Sequence, residues 1–164
     1  MKKELTQMII ESVHEVFLAF LFLEVKPGPA VVKPDDQLYK APESETTSIV
    51  NFSGGLAGGV HLAAPLHVAL ELASALADEK FETMDRTAAD GYGELANIVA
   101  GGIQTKLSGK FGNINLTPPT VISGTDYKMQ YKSNFDSIKQ YFKSEVGIFY
   151  VEFFFFIEGY KSFK

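Results

Sequence analysis

The chain has no cysteine and no tryptophan. Without thiols it can have no disulfide, no thiolate metal centre and no cysteine nucleophile. Histidine is scarce: His14, His61 and His67 are the whole supply, and their spacing makes no recognisable ligand set. His67 and Glu71 lie four apart and could share a helix face, but such a pair arises readily by chance and no metal site is read from it. Positive charge is short too, with 15 Lys and Arg against 20 Asp and Glu, a net charge of -5. Gripping a phosphate backbone needs a basic patch, so this balance argues against nucleic acid as a partner and says nothing against a protein. Long apolar runs are also missing. Val16–Leu23 and Phe153–Ile157 are too short to span a bilayer. Glu11, His14 and Glu15 interrupt the approach to the first run and Glu24 follows it, unlike a secretory leader. The expectation is a cytoplasmic protein that does not engage a membrane.

What is present suits a packed core. Hydrophobic residues make up 46% and charged residues 21% of 164 residues, which fits one globular domain over 1–164 with no dividing linker. Residues 4–23 place Leu5, Met8, Ile9, Val13, Val16, Phe17 and Phe20 at spacings of three and four, an amphipathic helix. Pro27, Gly28 and Pro29 end it, and the stretch to Pro42 reads as loop with a short extended piece at Ala30–Lys33. Thr46–Phe52 and Gly59–Ala63 read as a hairpin around a Gly-rich turn. That turn lacks the Lys-Ser/Thr of a phosphate-binding loop, so its glycines are assigned to the turn itself. Pro65 suits the first turn of a helix running to about Ala77. A polar approach over Asp85–Asp90 leads to a third helix, Gly91–Leu107. Asn113–Leu116, Val121–Ser123 and Tyr127–Lys132 read as short strands. Ser137–Lys143 and Ile148–Ile157 close the chain around a turn at Glu145–Gly147. Both faces of the final strand are apolar, so it is expected to be covered on two sides, inside a layered sandwich or at a subunit interface. The fold class expected is α+β, an α/β sandwich with helices packed on an antiparallel or mixed sheet.

The third helix carries the chemistry. On a wheel of about 100° per residue, Tyr92, Leu95, Val99, Ile103 and Leu107 gather on one side and Glu94, Asn97, Gly101, Gln104 and Ser108 on the other. A carboxylate and an amide thus stand one turn apart on an exposed stripe. Gly101 and Gly102 sit mid-helix, where each costs about 1 kcal/mol against Ala. The stripe also has almost none of the long charged residues that an ordinary solvated face carries. Both oddities suit a surface made to be docked against. On pattern alone the plainer reading stands beside it: Glu94 as a first-turn residue favoured by the helix dipole, with Asn97 incidental.

The string Gly93-Glu-Leu-Ala-Asn97-Ile-Val-Ala-Gly101 resembles the signature of the CheC and CheX chemotaxis phosphatases. Phe52-Ser-Gly-Gly with Gly59-Val-His-Leu-Ala-Ala-Pro65 looks like that family's hairpin leading into a helix. Leu116-Thr-Pro-Pro-Thr-Val-Ile-Ser-Gly124 looks like its segment after the motif helix. One Glu-x-x-Asn motif rather than two points to the CheX branch. The stretch from Val31 to Ser48 matches nothing in the family. The resemblance implies hydrolysis of the aspartyl phosphate of a phosphorylated CheY-like response regulator. Asn97 would orient the attacking water, as a neutral amide that both donates and accepts can. Glu94 would pair with the receiver's lysine, and Gly101 and Gln104 would belong to the docking surface. It implies no cofactor or metal of the chain's own, Mg2+ on the partner receiver, and a homodimer. The rival expectation is a non-enzymatic module that docks on a receiver domain or a flagellar switch component.

Overall fold

In a computed structural model of the chain, which describes residues 1–43, 45–124, 127–131 and 133–156, the first apolar stripe winds as α1 (Lys2–Val16) and then widens into a π-turn over Phe17–Leu21. The widened turn shifts the helical phase by part of a residue. Phe17 and Leu21 therefore face the core, while Phe20, expected inside on α-helical spacing, is half exposed. Phe22 closes the turn in a left-handed conformation, φ 56°.

Three helices lie on one face of a seven-stranded antiparallel sheet, ordered β1-β6-β7-β3-β2-β4 with β5 also on β2. The strands are β1 (Lys26–Val32), β2 (Thr46–Gly54), β3 (Ala57–Ala64), β4 (Ile114–Leu116), β5 (Thr120–Ile122), β6 (Asp136–Ser144) and β7 (Gly147–Phe156). β1 is longer than the sequence suggests and runs through Pro27 and Pro29. An edge strand tolerates prolines, whose missing N–H groups cost no ladder bond on the open side, and the register breaks between Pro27 and Ala30. Tyr127–Gln130 and Tyr131, expected to be a strand, are not one; Lys132 and Ile157, expected at strand ends, fall outside the described residues. The β2–β3 turn shrinks to Gly55 and Leu56, and its glycines are steric necessities. A Cβ on Gly55 would stand 1.8 Å from the Phe111 carbonyl oxygen, and Gly58 holds φ 146° against the β7 backbone.

The helix-facing side of the sheet supplies Val50, Phe52, Val60, Leu62, Phe149, Val151, Phe153 and Phe155 to one core with α1, α2 (Leu66–Ala77) and α3 (Arg86–Phe111). Pro65 stands immediately before α2, at its N-cap. The other side of β7 is buried as well, because segments of the same chain cover it rather than a second subunit. Tyr39, Tyr131 and Phe135 pack around Phe154 with ring centroids 5.1–5.9 Å apart. Beneath them His61 and Glu152 are fully buried, with Nδ1 and Oε1 3.0 Å apart. The Tyr39 hydroxyl donates to Glu152 at 2.9 Å, and Tyr131 lies 2.8 Å from Nε2 of His61. A proton on Nδ1 satisfies the whole set: His61 donates to Glu152 and accepts from Tyr131. Tyr127 adds a second fastening, its hydroxyl on Thr47 and on the Glu45 carbonyl.

Two predictions follow from this outer cover. Glu152→Ala leaves His61 and Tyr39 buried without their acceptor and should lower stability by about 3 kcal/mol in urea titration. A loss no larger than that of an exposed substitution would contradict the arrangement. Burial, seconded by the Glu152 carboxylate, pushes the Tyr131 phenol up to about 12 and carries Tyr39 and Tyr150 higher still. Burial likewise raises Tyr92. A phenol raised in the native state lends stability that is complete below its unfolded value near 10 and is lost as pH climbs through the native value. Phenolate absorbance from these tyrosines should therefore appear together with loss of far-ultraviolet dichroism above that pH. Their ionisation in a chain that is still folded would refute it.

Candidate functional site

α3 begins earlier and ends later than the apolar spacing indicates. Asp85 caps it, its Oδ1 accepting the Ala88 N–H at 2.9 Å, and the helix runs on to Phe111. Glu94 therefore sits more than two turns inside the helix, beyond the first-turn position where the dipole would favour it. Its place on the surface needs another reason.

The buried side of α3 is as the wheel predicts: Tyr92, Leu95, Val99, Ile103 and Leu107 are all in the core. Tyr92 adds a polar anchor, its hydroxyl 3.1 Å from the Thr46 carbonyl and 2.9 Å from that of Leu62. One phenol thus pins the helix across β2 and β3, two residues before Glu94. Apolar spacing identifies Tyr92 as core but gives no sign of this anchor. On the α1 flank, Gly102 faces Ser12, where an added Cβ would stand 3.5 Å from the serine Cβ. That is an ordinary van der Waals separation, so a methyl group would fit there and packing against α1 does not by itself call for a glycine. Lys106–Glu15 at 3.3 Å and Lys110–Glu4 at 3.1 Å lace the same flank in solvent. Such exposed pairs contribute little, though Lys110 holds the Glu4 carboxyl below its usual range.

On the outward side Glu94 is exposed and Asn97 is half-buried one turn later. Among the described residues neither side chain is engaged by a hydrogen bond or ion pair, so both are available to an incoming group. Gly101 continues the line, and a Cβ there would meet nothing within 4 Å, leaving bare backbone at the surface. Gln104 lies towards the β4 flank, where its amide donates to the Ile114 carbonyl at 2.5 Å. Glu94, Asn97 and Gly101 thus form one open stripe, and Gln104 ties its lower end to the sheet. Among the described residues no group of three acidic or histidine side chains could hold a metal ion, and no helix is long and apolar enough to cross a membrane.

The stripe lies on the solvent side of α3. Clefts of about 450 and 570 Å3 open elsewhere, beside Phe22 and beside Ile148 at the β1–β6 edge. A third of about 370 Å3 lies between Tyr39 and Tyr131. A small molecule is ordinarily enclosed in a concavity; an exposed helix face presenting a carboxylate, an amide and bare backbone suits a partner that closes over it.

Known proteins resemble the chain in sequence and in fold. The chain is 28% identical over 131 residues to the CheY-P phosphatase CheX of Thermotoga maritima, covering 79% of this chain and 82% of that protein. A CheC-like superfamily protein from a Shewanella species superimposes with a TM-score of 0.78 at 26% identity, covering 95% of this chain and 99% of the other. CheX in the CheX–CheY–BeF3–Mg2+ complex of Borrelia burgdorferi shares the fold, with a TM-score of 0.75 at 22% identity, covering 91% and 96%. The family model described as chemotaxis phosphatase CheX matches residues 46–143, from the start of β2 through most of β6 and including all of α3. The chain belongs to the chemotaxis phosphatase CheX family.

Proposed function

We propose that the chain hydrolyses the aspartyl phosphate of a CheY-like response regulator, with α3 inserted at the receiver's phosphorylation site. The observation that carries this reading is the open stripe of Glu94, Asn97 and Gly101 in a chain whose family and whose Thermotoga relative carry the phosphatase name. The Borrelia relative was crystallised with CheY, beryllofluoride and Mg2+, which supports a receiver as partner and fits a reading in which the receiver carries the cation.

An acyl phosphate needs a water in line with phosphorus and opposite the departing carboxylate. Asn97 is placed to hold that water: its amide oxygen accepts from the water while its NH2 donates to a phosphoryl oxygen. Glu94, one turn away, pairs with the receiver's lysine and fixes the register in which Asn97 arrives. Gly101 lets the receiver backbone approach the helix. Gln104, held by Ile114, supports the edge of that contact. Charge on the phosphoryl oxygens is left to the receiver and its Mg2+, so this chain contributes positioning. The same reading places the protein in the cytoplasm with its receiver.

Dephosphorylation of a phosphorylated receiver tests the assignment. Asn97→Ala should lower kcat by about 100-fold while receiver binding persists. Glu94→Ala should act chiefly on KM. Gly101→Ala should stabilise the helix by up to about 1 kcal/mol and yet weaken docking. A wild type that leaves the lifetime of every phosphorylated receiver unchanged favours the non-enzymatic docking module instead.

The reading includes a homodimer. β1 is a sheet edge with exposed Val31 and Val32, and Phe22, beside its first residue, is 85% exposed, apolar surface that a second subunit would cover. Sedimentation should show a dimer at micromolar concentration that Phe22→Asp and Val31→Asp dissociate. A wild type sedimenting as a monomer removes the dimer from the proposal.

A further inference from the structure

α3 has a second line beside the stripe. At about 100° per residue, Gly93, Asn97 and Gln104 follow one another along the β4–β5 flank of the helix, four and then seven residues on. Both ends of that line are fixed to the neighbouring strands. At Gly93 the helix has no side chain, and a Cβ built there would lie 3.3 Å from the Pro119 ring and 3.4 Å from Val121. At Gln104 the side-chain amide holds the Ile114 carbonyl at 2.5 Å. Asn97 stands between these anchors, so the Thr117–Thr120 bridge from β4 to β5 runs alongside it.

The bridge is stiff. The Thr117 N–H donates to the Asn51 carbonyl at 3.0 Å, and the Asn51 N–H donates to the Thr117 hydroxyl at 3.0 Å. β4 and β5 pair with β2 on either side of that clasp. Pro118 and Pro119 fix two successive φ angles between them. Thr117, Pro118 and Thr120 are nevertheless exposed and uncharged. A rigid, neutral, solvent-facing wall beside a half-buried amide is more than joining two three-residue strands requires.

We propose that the Thr117–Thr120 bridge is a second docking element for the phosphorylated receiver, a wall that sets the depth at which Asn97 enters the phosphorylation site, with Gly93 as the positioning residue that seats the wall. The proposal rests on the receiver-phosphatase reading above and adds the surface that reading leaves undefined. The surface that meets the wall is apolar or hydroxyl-bearing, because a charged group pressed against Thr117 and Pro118 would lose water and gain no partner. The wall is continuous with the Glu94–Asn97–Gly101 stripe, so one rigid body of the receiver covers both.

The test uses the full chain with two substitutions at the wall's exposed crest and one at its seat. Pro118→Glu and Pro118→Lys point into solvent, so Tm should stay at the wild-type value. Both should raise KM for the phosphorylated receiver about tenfold with a much smaller change in kcat. Both should weaken binding of a beryllofluoride- and Mg2+-activated receiver by the same factor. Gly93→Ala moves the wall outward by a few tenths of an ångström and should lower kcat about tenfold with binding largely kept. Wild-type KM and receiver affinity in both Pro118 variants would overturn the docking wall even if the enzyme is fully active. An inactive wild type whose receiver binding is still weakened by both charges would retain the wall and remove the hydrolytic reading, so the two failures are distinguishable.

Discussion

From Phe149 to Phe155 strand β7 has no uncovered side. It pairs with β6 on one edge and, from Tyr150 onward, with β3 on the other, presents Phe149, Val151, Phe153 and Phe155 to the helices, and turns Tyr150, Glu152 and Phe154 to the opposite face. A strand so placed must be satisfied in four directions at once, and the rest of the architecture answers that demand. The helical layer covers one face. The segments around Tyr39 and Tyr131 cover the other, tied down through His61 and Glu152. Glycines at 58 and 59 let β3 lie close enough to complete the ladder.

The reactive helix inherits its position from that frame. Tyr92 is pinned to carbonyls of β2 and β3, α1 packs on one flank with Ser12 facing Gly102, and Gly93 and Gln104 join the other to β4 and β5. With three flanks held, the outward side of α3 can carry a sparse stripe of one carboxylate, one amide and one glycine without relying on its own helical propensity. The two central glycines differ in surroundings: Gly102 faces Ser12 at a distance that a methyl group would also tolerate, whereas among the described residues nothing lies within reach of a side chain at Gly101.

Much of this was legible in the sequence because it repeats with a period. The three-and-four spacing of α1, a helix opening at Pro65, the hairpin around the glycines and the apolar final strand all express local geometry, and each element appears close to where it is expected, with Pro65 one position outside the helix, at its N-cap. The Glu94–Asn97 stripe was legible for the same reason, since core and surface residues separate cleanly on one wheel. What escaped was set by contacts distant in sequence. β1 runs through two prolines because it is an edge, which no window of sequence reveals. The first turns of α3 are polar and depend on the Asp85 cap. Phe20 leaves the core because of a π-turn. The stretch from Val31 onwards, unmatched by any pattern, provides part of the outer cover through a single tyrosine whose acceptor lies 113 residues away.

That separation has a consequence for how the chain is made. β3 is complete by Ala64, yet its second ladder partner is synthesised some eighty residues later. Until then β3 and β6 lack the strand that joins them, and the core lacks its largest block of phenylalanines. Pairings this non-local close their loops late and slowly, so during translation the helices can form while the sheet stays open at its centre. The nascent protein passes through a stage with the apolar strand β3 unpaired on one edge, and the arrival of β7 ends it.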